Sequence, residues 1–231
     1  MTLQEFSNEF DILYNNIMSN VAGNVNEYEK SVFLTRAQEE LILEYYGANN
    51  DNNGFEETEL SKTYLSELVK DAIITVKEEG ETLPNHIDEK SVFFKLPEGM
   101  WFSVFESATL ADHTDYPSLP RGSSSVVNIK PVTHDNYNKV SGNPFKGGNA
   151  GRVLKLNLTN NIVELVSDYY IQSYFIRFVV RPTPIILDDI AGAEIEGLSV
   201  ATECVLNPGI HREILNRAVT TAVKVYNFQN K

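Results

Sequence analysis

The sequence predicts an α+β protein with an N-terminal helical layer, a central antiparallel β-sheet and a C-terminal amphipathic helix. Apolar residues recur every three or four positions before residue 75, and this helical spacing returns after residue 207. Between these regions lie short segments rich in aromatic and β-branched residues. With 231 residues and 42% apolar content, the chain is expected to form one structural domain, with a helical acidic part over 1–80 and a β-rich part over 90–231.

The first helix is predicted to begin after Thr2, whose hydroxyl can accept a hydrogen bond from the first turn. Glu5 and Glu9 lie toward water or toward the positive end of the helix dipole. The apolar positions that step by three or four along this helix are Leu3, Phe6, Phe10, Leu13, Ile17 and Val21.

Two further helices are predicted in the acidic part. Thr35 and Gln38 have the spacing of a capping box, which predicts a helix start there, and Gly47 is predicted to end that helix. The polar run 47–54 is expected to be a mobile loop. A third helix is predicted from about residue 58 to 74, with its charged residues on one side.

The β-rich part is predicted to contain consecutive antiparallel strands. Segments 91–96 and 100–105 flank the turn-forming run Pro-Glu-Gly, which predicts a hairpin. A second hairpin is expected where Asn160 and Asn161 connect two apolar segments. The further predicted strands cover 126–130, 152–158, 162–166 and 169–180.

The C-terminal region combines a proline-rich segment with a clear helix signal. Pro182 and Pro184 exclude a regular central strand, so residues 185–187 are predicted to form an edge or a loop. Asn207 followed by Pro208 is typical of a helix N-cap and first turn. The helix that follows is predicted to pack on the sheet through Ile210, Ile214, Leu215, Ala218, Val219, Ala222, Val223 and Tyr226.

The net charge of −13 arises entirely in the first 100 residues, which hold 20 Asp and Glu against 7 Lys and Arg. Residues 101–231 hold 12 of each kind. An acidic surface repels phosphate, which argues against tight binding of nucleic acid by the first half. The single Cys204 excludes an internal disulfide, and the chain has no apolar run near 18 residues, so we expect a cytoplasmic protein with no membrane segment.

One group of residues raises the alternative of a small hydrolase or nuclease-like enzyme. Asp112, His113 and Asp115 place an imidazole between two acids, from which a general base or a metal site can be built. The segment is predicted to be a loop, and an enzyme would need a concave pocket around it. His86, His134 and His211 form no pair at ligand spacing, and Cys204 is expected to be buried. We therefore predict no catalytic residue, no cofactor and no metal site.

The segment 142–151 has four glycines in ten residues. A phosphate-binding loop would lead into a helix, whereas here a predicted strand follows. The glycines are expected to allow positive φ angles in a flexible loop. Pro144 and Phe145 are predicted to anchor a neighbouring subunit. The predicted interaction residues are Asn143, Pro144, Phe145 and Lys146 in this segment, together with Arg177 and Arg181.

Four blocks of sequence resemble structural proteins of crAss-like tailed bacteriophages. The first runs from Lys30 to Tyr46 and is followed by an Asn-rich loop and by Gly-Phe-Glu-Glu-Thr-Glu ending at Glu59. The other three cover residues 142–145, 174–187 and 204–215. In this order the blocks span most of the chain.

This resemblance implies a virion component near the head-to-tail junction, most simply a ring of twelve copies that binds the portal protein and other tail or ring proteins. It implies no catalytic residues. Assembly would take place in the host cytoplasm. We expect some carboxylates of residues 1–100 to face the DNA passage, with only transient, non-specific DNA contact, while the near-neutral half supplies most of the packing between subunits. A monomeric acidic interaction module is the other alternative.

Overall fold

The computed structural model describes residues 1–18, 25–50, 63–80, 83–190 and 192–229, which divide between two compact units. The helical unit comprises Met1–Leu68 and Arg181–Lys231, and the sheet unit comprises Val69–Val180. The helices are α1 (Leu3–Met18), α2 (Glu27–Asn50), α3 (Tyr137–Ser141) and α4 (His211–Gln229). The strands are β1 (Val69–Ile74), β2 (Ser91–Lys95), β3 (Met100–Ala111), β4 (Val126–Pro131), β5 (Arg152–Asn157), β6 (Ile162–Val166) and β7 (Tyr170–Val180). The α+β fold class is confirmed.

Helix α1 begins where the sequence predicts. Thr2 and Glu5 form a reciprocal capping box, in which the Thr2 Oγ1 accepts from the Glu5 amide at 3.2 Å and the Thr2 amide donates to Glu5 Oε2 at 2.8 Å. Phe6, Phe10 and Tyr14 form its buried stripe. Ile17, by contrast, is exposed, and the predicted position Val21 lies outside the described residues.

The predicted helix start at Thr35 was wrong, because α2 already begins at Glu27. Its cap is Asn26, whose Oδ1 accepts from the Glu29 amide at 2.8 Å, while the Asn26 amide donates to Glu29 Oε2 at 3.0 Å. The helix continues to Asn50, so Gly47 lies within it and does not end it. Polar residues three positions apart occur at helix starts and also in the middle of helices. The residues next to Thr35 and Gln38 in sequence do not show which of these two positions they occupy.

The predicted helix over 58–74 was wrong in its second half. Residues 51–62 lie outside the described residues, and residues 63–65 form a helical turn followed by a 3₁₀ turn, Ser66–Leu68. The chain then enters strand β1, which pairs antiparallel with β7 from Val69 to Ile74. The β-branched Val69, Ile73 and Ile74 suit this strand, and pairing with β7 satisfies the backbone groups that a helix would otherwise bond internally.

The seven strands of the described sheet follow the order β1-β7-β3-β4-β5-β6-β2. All neighbours are antiparallel except β4 and β5, which are parallel, so the sheet is mixed where the sequence predicted an antiparallel one. The predicted β5–β6 hairpin is confirmed. Asn160 and Asn161 have φ angles of 60° and 57°, the backbone conformation that two-residue hairpin turns require.

The predicted hairpin of β2 with β3 was wrong, since β2 pairs with β6 while β3 pairs with β7 and β4. These two strands lie four places apart in the sheet, yet residues 96–99 alone connect them. Four strand spacings in a flat sheet measure roughly 19 Å, whereas so short a connection spans at most about 17 Å. The sheet therefore curls, and an antiparallel bridge between Glu78 and Phe93 joins the chain after β1 to β2.

The interior of the curled sheet is largely apolar and contains an ion pair between Lys155 and Glu106. Large residues of this core include Phe94, Leu110 and Tyr174. Lys155 Nζ donates to Glu106 Oε1 at 2.6 Å, and both side chains are largely buried. A buried ion pair of this kind requires close geometry because both charges have left water.

Helix α4 is confirmed, with a different packing partner. The Asn207 side chain accepts from the Gly209 amide at 2.9 Å, and one 3₁₀ turn leads into the helix. Its apolar face packs against α1 and α2, where the sequence predicted the sheet. Within the described residues, no helix is long and apolar enough to cross a membrane. The buried face consists of Ile214, Leu215, Ala218, Val219 and Ala222.

Side chains of α2 hydrogen-bond the proline-rich segment that follows β7. Thr35 Oγ1 accepts from the Ile185 amide at 3.1 Å and donates to the Ile185 carbonyl at 3.3 Å. Gln38 Nε2 donates to the Thr183 carbonyl at 2.9 Å. The residues mistaken for a capping box thus bond backbone groups about 150 positions away in sequence.

The segment 183–187 is buried from Pro184 to Leu187 without being a regular strand. Ser31 Oγ accepts from the Leu187 amide at 2.9 Å on the α2 side. Ile186 faces the opposite way and forms a two-bond bridge with Thr202. The prediction that no regular strand crosses this segment is confirmed, but the segment is buried and is not a surface loop.

We expect Thr35→Val to lower the free energy of unfolding by about 2 kcal/mol, because it leaves both the amide and the carbonyl of Ile185 without a partner. Thr35→Ser keeps the hydroxyl and is the matched control. Urea denaturation of both variants measures the difference. Equal unfolding midpoints for the two variants would show that these bonds contribute nothing to stability.

We also expect a pH-dependent stability from His211, which is buried and whose Nε2 donates to the Leu206 carbonyl at 2.8 Å. Burial lowers the pKa of His211 below its ordinary value of 6.5. As the pH falls below about 6.5, the unfolded chain takes up a proton that the folded chain resists, so the free energy of unfolding falls by up to about 1.4 kcal/mol per pH unit.

The variant His211→Gln retains a donor for Leu206 and does not titrate in this range. Its unfolding free energy should therefore fall less steeply than that of the wild type between about pH 6.5 and pH 5, as followed by urea denaturation at each pH. Parallel curves for the two proteins would contradict the assignment.

Candidate interaction surface

The most exposed large apolar side chain in the described part of the chain is Phe145, at 86%. It lies at the centre of a turn formed by residues 143–147, called here the Phe145 turn, which follows helix α3. The sequence analysis selected this residue as an anchor. Its exposure shows that the side chain makes little contact within its own subunit.

Local hydrogen bonds hold the Phe145 turn in one conformation. Asn143 Oδ1 accepts from the amides of Phe145 at 2.9 Å and Lys146 at 3.2 Å, the bonding pattern of an Asx turn. The Asn143 carbonyl also accepts from the Gly147 amide at 2.7 Å. Hydrogen bonds within the turn therefore fix its backbone conformation.

The glycines of this segment act by their small size. None of Gly142, Gly147, Gly148 and Gly151 has a positive φ, so that prediction was wrong. A Cβ on Gly147 would lie 2.8 Å from the Ser141 carbonyl oxygen and 3.0 Å from that of Asn143. Only glycine permits this close approach, which folds the turn back on α3.

Two basic side chains contact the backbone of the Phe145 turn. Arg152 Nη1 donates to the Phe145 carbonyl at 2.9 Å, and Lys130 Nζ donates to the Lys146 carbonyl at 3.3 Å. Lys139 lies on the short helix that leads into the turn. By sequence, residues 130–152 contain four basic residues, these three and Lys146, and one acidic residue, Asp135, so the segment itself carries positive charge.

The two predicted interaction arginines form ion pairs within the chain. Arg177 on β7 donates from Nη1 to both carboxylate oxygens of Asp71, its partner on β1, at 3.0 Å. Arg181 pairs with Glu39 at 2.7 Å and also with Glu196. Both positive charges are thus offset before any partner binds.

The outer face of the sheet unit carries an apolar patch that sequence reasoning missed. Ile73 is 69% exposed and lies opposite Phe175, whose ring centroid is 6.1 Å from that of the half-exposed Phe105. The Asp71–Arg177 pair crosses the same face, which leaves it electrically neutral. Finding this patch from sequence requires the pairing of β1, β7 and β3, which sequence reasoning did not supply.

The charge of the chain is concentrated in the helical unit. By sequence this unit holds 19 acidic residues against 8 Lys and Arg, a net charge of −11, while the sheet unit holds 13 against 11, a net charge of −2. Exposed apolar side chains accompany the acidic residues, namely Ile12 and Ile17 on α1 and Tyr28, Val32 and Leu43 on α2.

The residues on which the enzyme alternative rests, Asp112, His113 and Asp115, lie in an exposed loop after β3. The Asp112 carboxylate accepts from the Leu119 amide at 2.8 Å, and His113 Nδ1 accepts from the Asp115 amide at 3.3 Å. The His113 ring stacks on Tyr170 at 4.4 Å. These bonds shape the loop, and all three side chains are exposed to solvent.

A buried carboxylate that sequence reasoning missed lies beside a cavity of about 500 Å³ in the sheet unit. Glu164 accepts from the Ser91 hydroxyl at 2.5 Å and from the Ile87 amide at 2.8 Å, and His86 Nδ1 lies 2.7 Å from the same hydroxyl. Activation of a serine requires the imidazole to accept its proton, whereas here the carboxylate accepts it. The array instead holds the 84–90 connection against β6.

The remaining candidate residues from the sequence analysis are Cys204 and His134. Burial raises the pKa of the Cys204 thiol to about 11, and its Sγ donates to Gln38 Oε1 at 3.2 Å. A thiol of this kind is a poor nucleophile at neutral pH. His134 begins an exposed 3₁₀ turn, His134–Asn136. Among the described residues no cluster of three His, Cys, Asp or Glu side chains is placed to hold a metal ion.

Comparison with known proteins gives matches along the full chain. The family described as Phage tail ring protein 3/4 matches residues 1–231. Ring protein 3 of Bacteroides phage crAss001 is 40% identical over 226 residues, covering 96% of this chain and 95% of the relative. Ring protein 4/5 of the same phage is 34% identical over 237 residues, covering 98% and 94%.

Proposed function

This chain belongs to the Phage tail ring protein 3/4 family, and from that premise we propose that it forms a homo-oligomeric ring at the head-to-tail junction of a tailed phage. Its role is structural, as a ring component of a crAss-like phage virion. The full-length similarity to two named ring proteins carries the proposal. The resemblance drawn from the sequence implies twelve copies, with the portal protein and other ring or tail proteins as neighbours.

A closed ring of identical subunits needs two different complementary surfaces on each copy. Obligate interfaces of this kind commonly bury more than about 2,000 Å² in total. The described residues provide separate exposed apolar surfaces, at the Phe145 turn, on the outer face around Ile73 and Phe105, and on α1 and α2. Two such surfaces on one subunit support assembly by side-to-side contact.

The proposed ring surrounds the path of the genome. Carboxylates of the acidic first part of the chain would face this passage, where they repel phosphate within a Debye length of roughly 8 Å at physiological ionic strength. The net charge of −11 on the helical unit supports this role, because DNA would pass with weak, transient contact. A hydrolase is less well supported, since Asp112 and its neighbours lie in an exposed loop.

We expect Phe145→Ala to reduce incorporation of the protein into virions roughly tenfold, because an exposed aromatic anchor contributes mainly to association. The free subunit should unfold within about 0.5 kcal/mol of the wild type, since Phe145 makes few contacts of its own. Quantitative mass spectrometry of purified particles from complemented infections measures incorporation.

The control is Val126→Ala, another exposed apolar residue of the sheet unit. Equal incorporation of the two variants would show that Phe145 is not part of the interface. Absence of the protein from purified particles, or a monomeric state within them, would contradict the proposed ring itself.

We expect Glu67→Lys, at an exposed position of the helical unit within the acidic first part of the chain, to slow genome ejection, because an added cation attracts phosphate. The effect should shrink as salt is added. The matched control is Asp135→Lys, at an exposed position of the sheet unit outside the first 100 residues. Ejection rates from purified particles that are the same for both variants would contradict a passage lined by the acidic part of the helical unit.

A further inference from the structure

We infer that the Phe145 turn of one copy docks on the acidic helical unit of the neighbouring copy, at the exposed faces of α1 and α2. The inference rests on the proposed ring and specifies the two surfaces that meet. It goes beyond the family, whose description names a ring and no contact.

The first argument is that the turn is already in a binding conformation. Asn143 accepts from the two amides after Pro144, Gly147 packs on the Ser141 carbonyl, and Arg152 holds the Phe145 carbonyl. A rigid turn loses little conformational entropy on binding, so the burial of Phe145 contributes almost fully to association. Such an arrangement is typical of a residue that enters a pocket on a partner.

The second argument is charge. Lys130 and Arg152 donate to carbonyls of the turn and Lys146 lies within it, so an acidic partner surface avoids repulsion and favours the correct orientation. In a ring of identical copies the neighbour offers two units, with net charges of −11 and −2. The helical unit is the electrostatic complement of the turn.

The third argument is that the helical unit also provides apolar contacts beside its carboxylates. On α1, Glu9 precedes the exposed Ile12 by three positions. On α2, Glu40 precedes the exposed Leu43 by the same spacing, but its carboxylate already pairs with Arg36 at 2.9 Å. Residues at i and i+3 lie side by side on a helix, so Glu9 and Ile12 offer one carboxylate next to one aliphatic side chain, and Leu43 adds apolar surface on α2. A phenyl ring beside basic side chains fits such a surface.

The neutral outer face of the sheet unit is the competing partner surface. It offers Ile73 and Phe105, but the Asp71–Arg177 pair leaves no excess negative charge for the basic residues around the turn. The helical unit is favoured for this reason. Its net charge also exceeds the three positive charges of Lys130, Lys146 and Arg152 at the turn, so enough carboxylates remain to face the DNA passage.

The first experiment places a photo-crosslinker at the turn. Phe145→p-benzoylphenylalanine keeps an aromatic side chain, and irradiation of purified virions should produce a species at twice the chain mass of 26.0 kDa. Mass spectrometry should locate the cross-link within residues 1–50 of the second copy. The same probe at Val126 is the control and should give no cross-link to these residues.

A cross-link to residues 69–180 of a second copy, or to a different virion protein, would overturn the inference while leaving the ring in place. If neither the variant with the probe at position 145 nor the one with the probe at position 126 is found in the particles, the proposed function itself would be overturned. These two failures are therefore distinguishable.

The second experiment remains informative if the probe at position 145 prevents incorporation. Lys146→Glu should lower incorporation into virions roughly tenfold, and adding Glu9→Lys should recover most of the loss. The matched control adds Glu98→Lys, which makes the same charge change in the sheet unit. Recovery by the control alone, or by neither addition, would contradict docking on the helical unit.

Discussion

Backbone groups that leave water must find hydrogen-bond partners, and this constraint organises both units of the protein. Its strictest case is the segment 183–187, which is buried from Pro184 to Leu187 and which Pro182 and Pro184 keep out of any regular strand. Ser31, Thr35 and Gln38 project from α2 and bond this segment in place of a strand. The N-terminal helices and the C-terminal region become one helical unit through these bonds and the packing of α4.

The need of backbone groups for hydrogen-bond partners also explains why the side chain of Phe145 is exposed. In the Phe145 turn the backbone groups are bonded by the Asn143 side chain, the Asn143 carbonyl and the side chains of Lys130 and Arg152. Because the turn is satisfied from within, its apolar side chain is not needed for folding and remains exposed. A subunit that must meet copies of itself benefits from a contact surface that exists before assembly.

Local signals were predictable and long-range ones were not. Thr2 and Asn207 cap their helices, and Asn160 with Asn161 turns its hairpin, because each acts on neighbours within a few positions. Thr35 and Gln38 show the limit, since their spacing fits a helix start equally well. Likewise, the sequence predicts a helix at β1 and a pairing of β2 with β3. The strands that hydrogen-bond to β1 and β2 are β7 and β6, which lie far along the chain. The exposure of Phe145 was anticipated from composition, whereas the patch around Ile73 depends on sheet pairing.

The sequence by itself determined the α+β class, the acidic first half, the C-terminal helix and the resemblance that leads to a ring component. These properties follow from composition, short periodicities and blocks of residues read in order. Only the tertiary structure decided the curl of the sheet, the division of charge into units of −11 and −2, and the bracing of the Phe145 turn. The physical reason is that the pairing of β1 with β7 and the bonds of Thr35 to Ile185 join residues more than a hundred positions apart in sequence. A local sequence pattern does not show which distant segment a residue will bond.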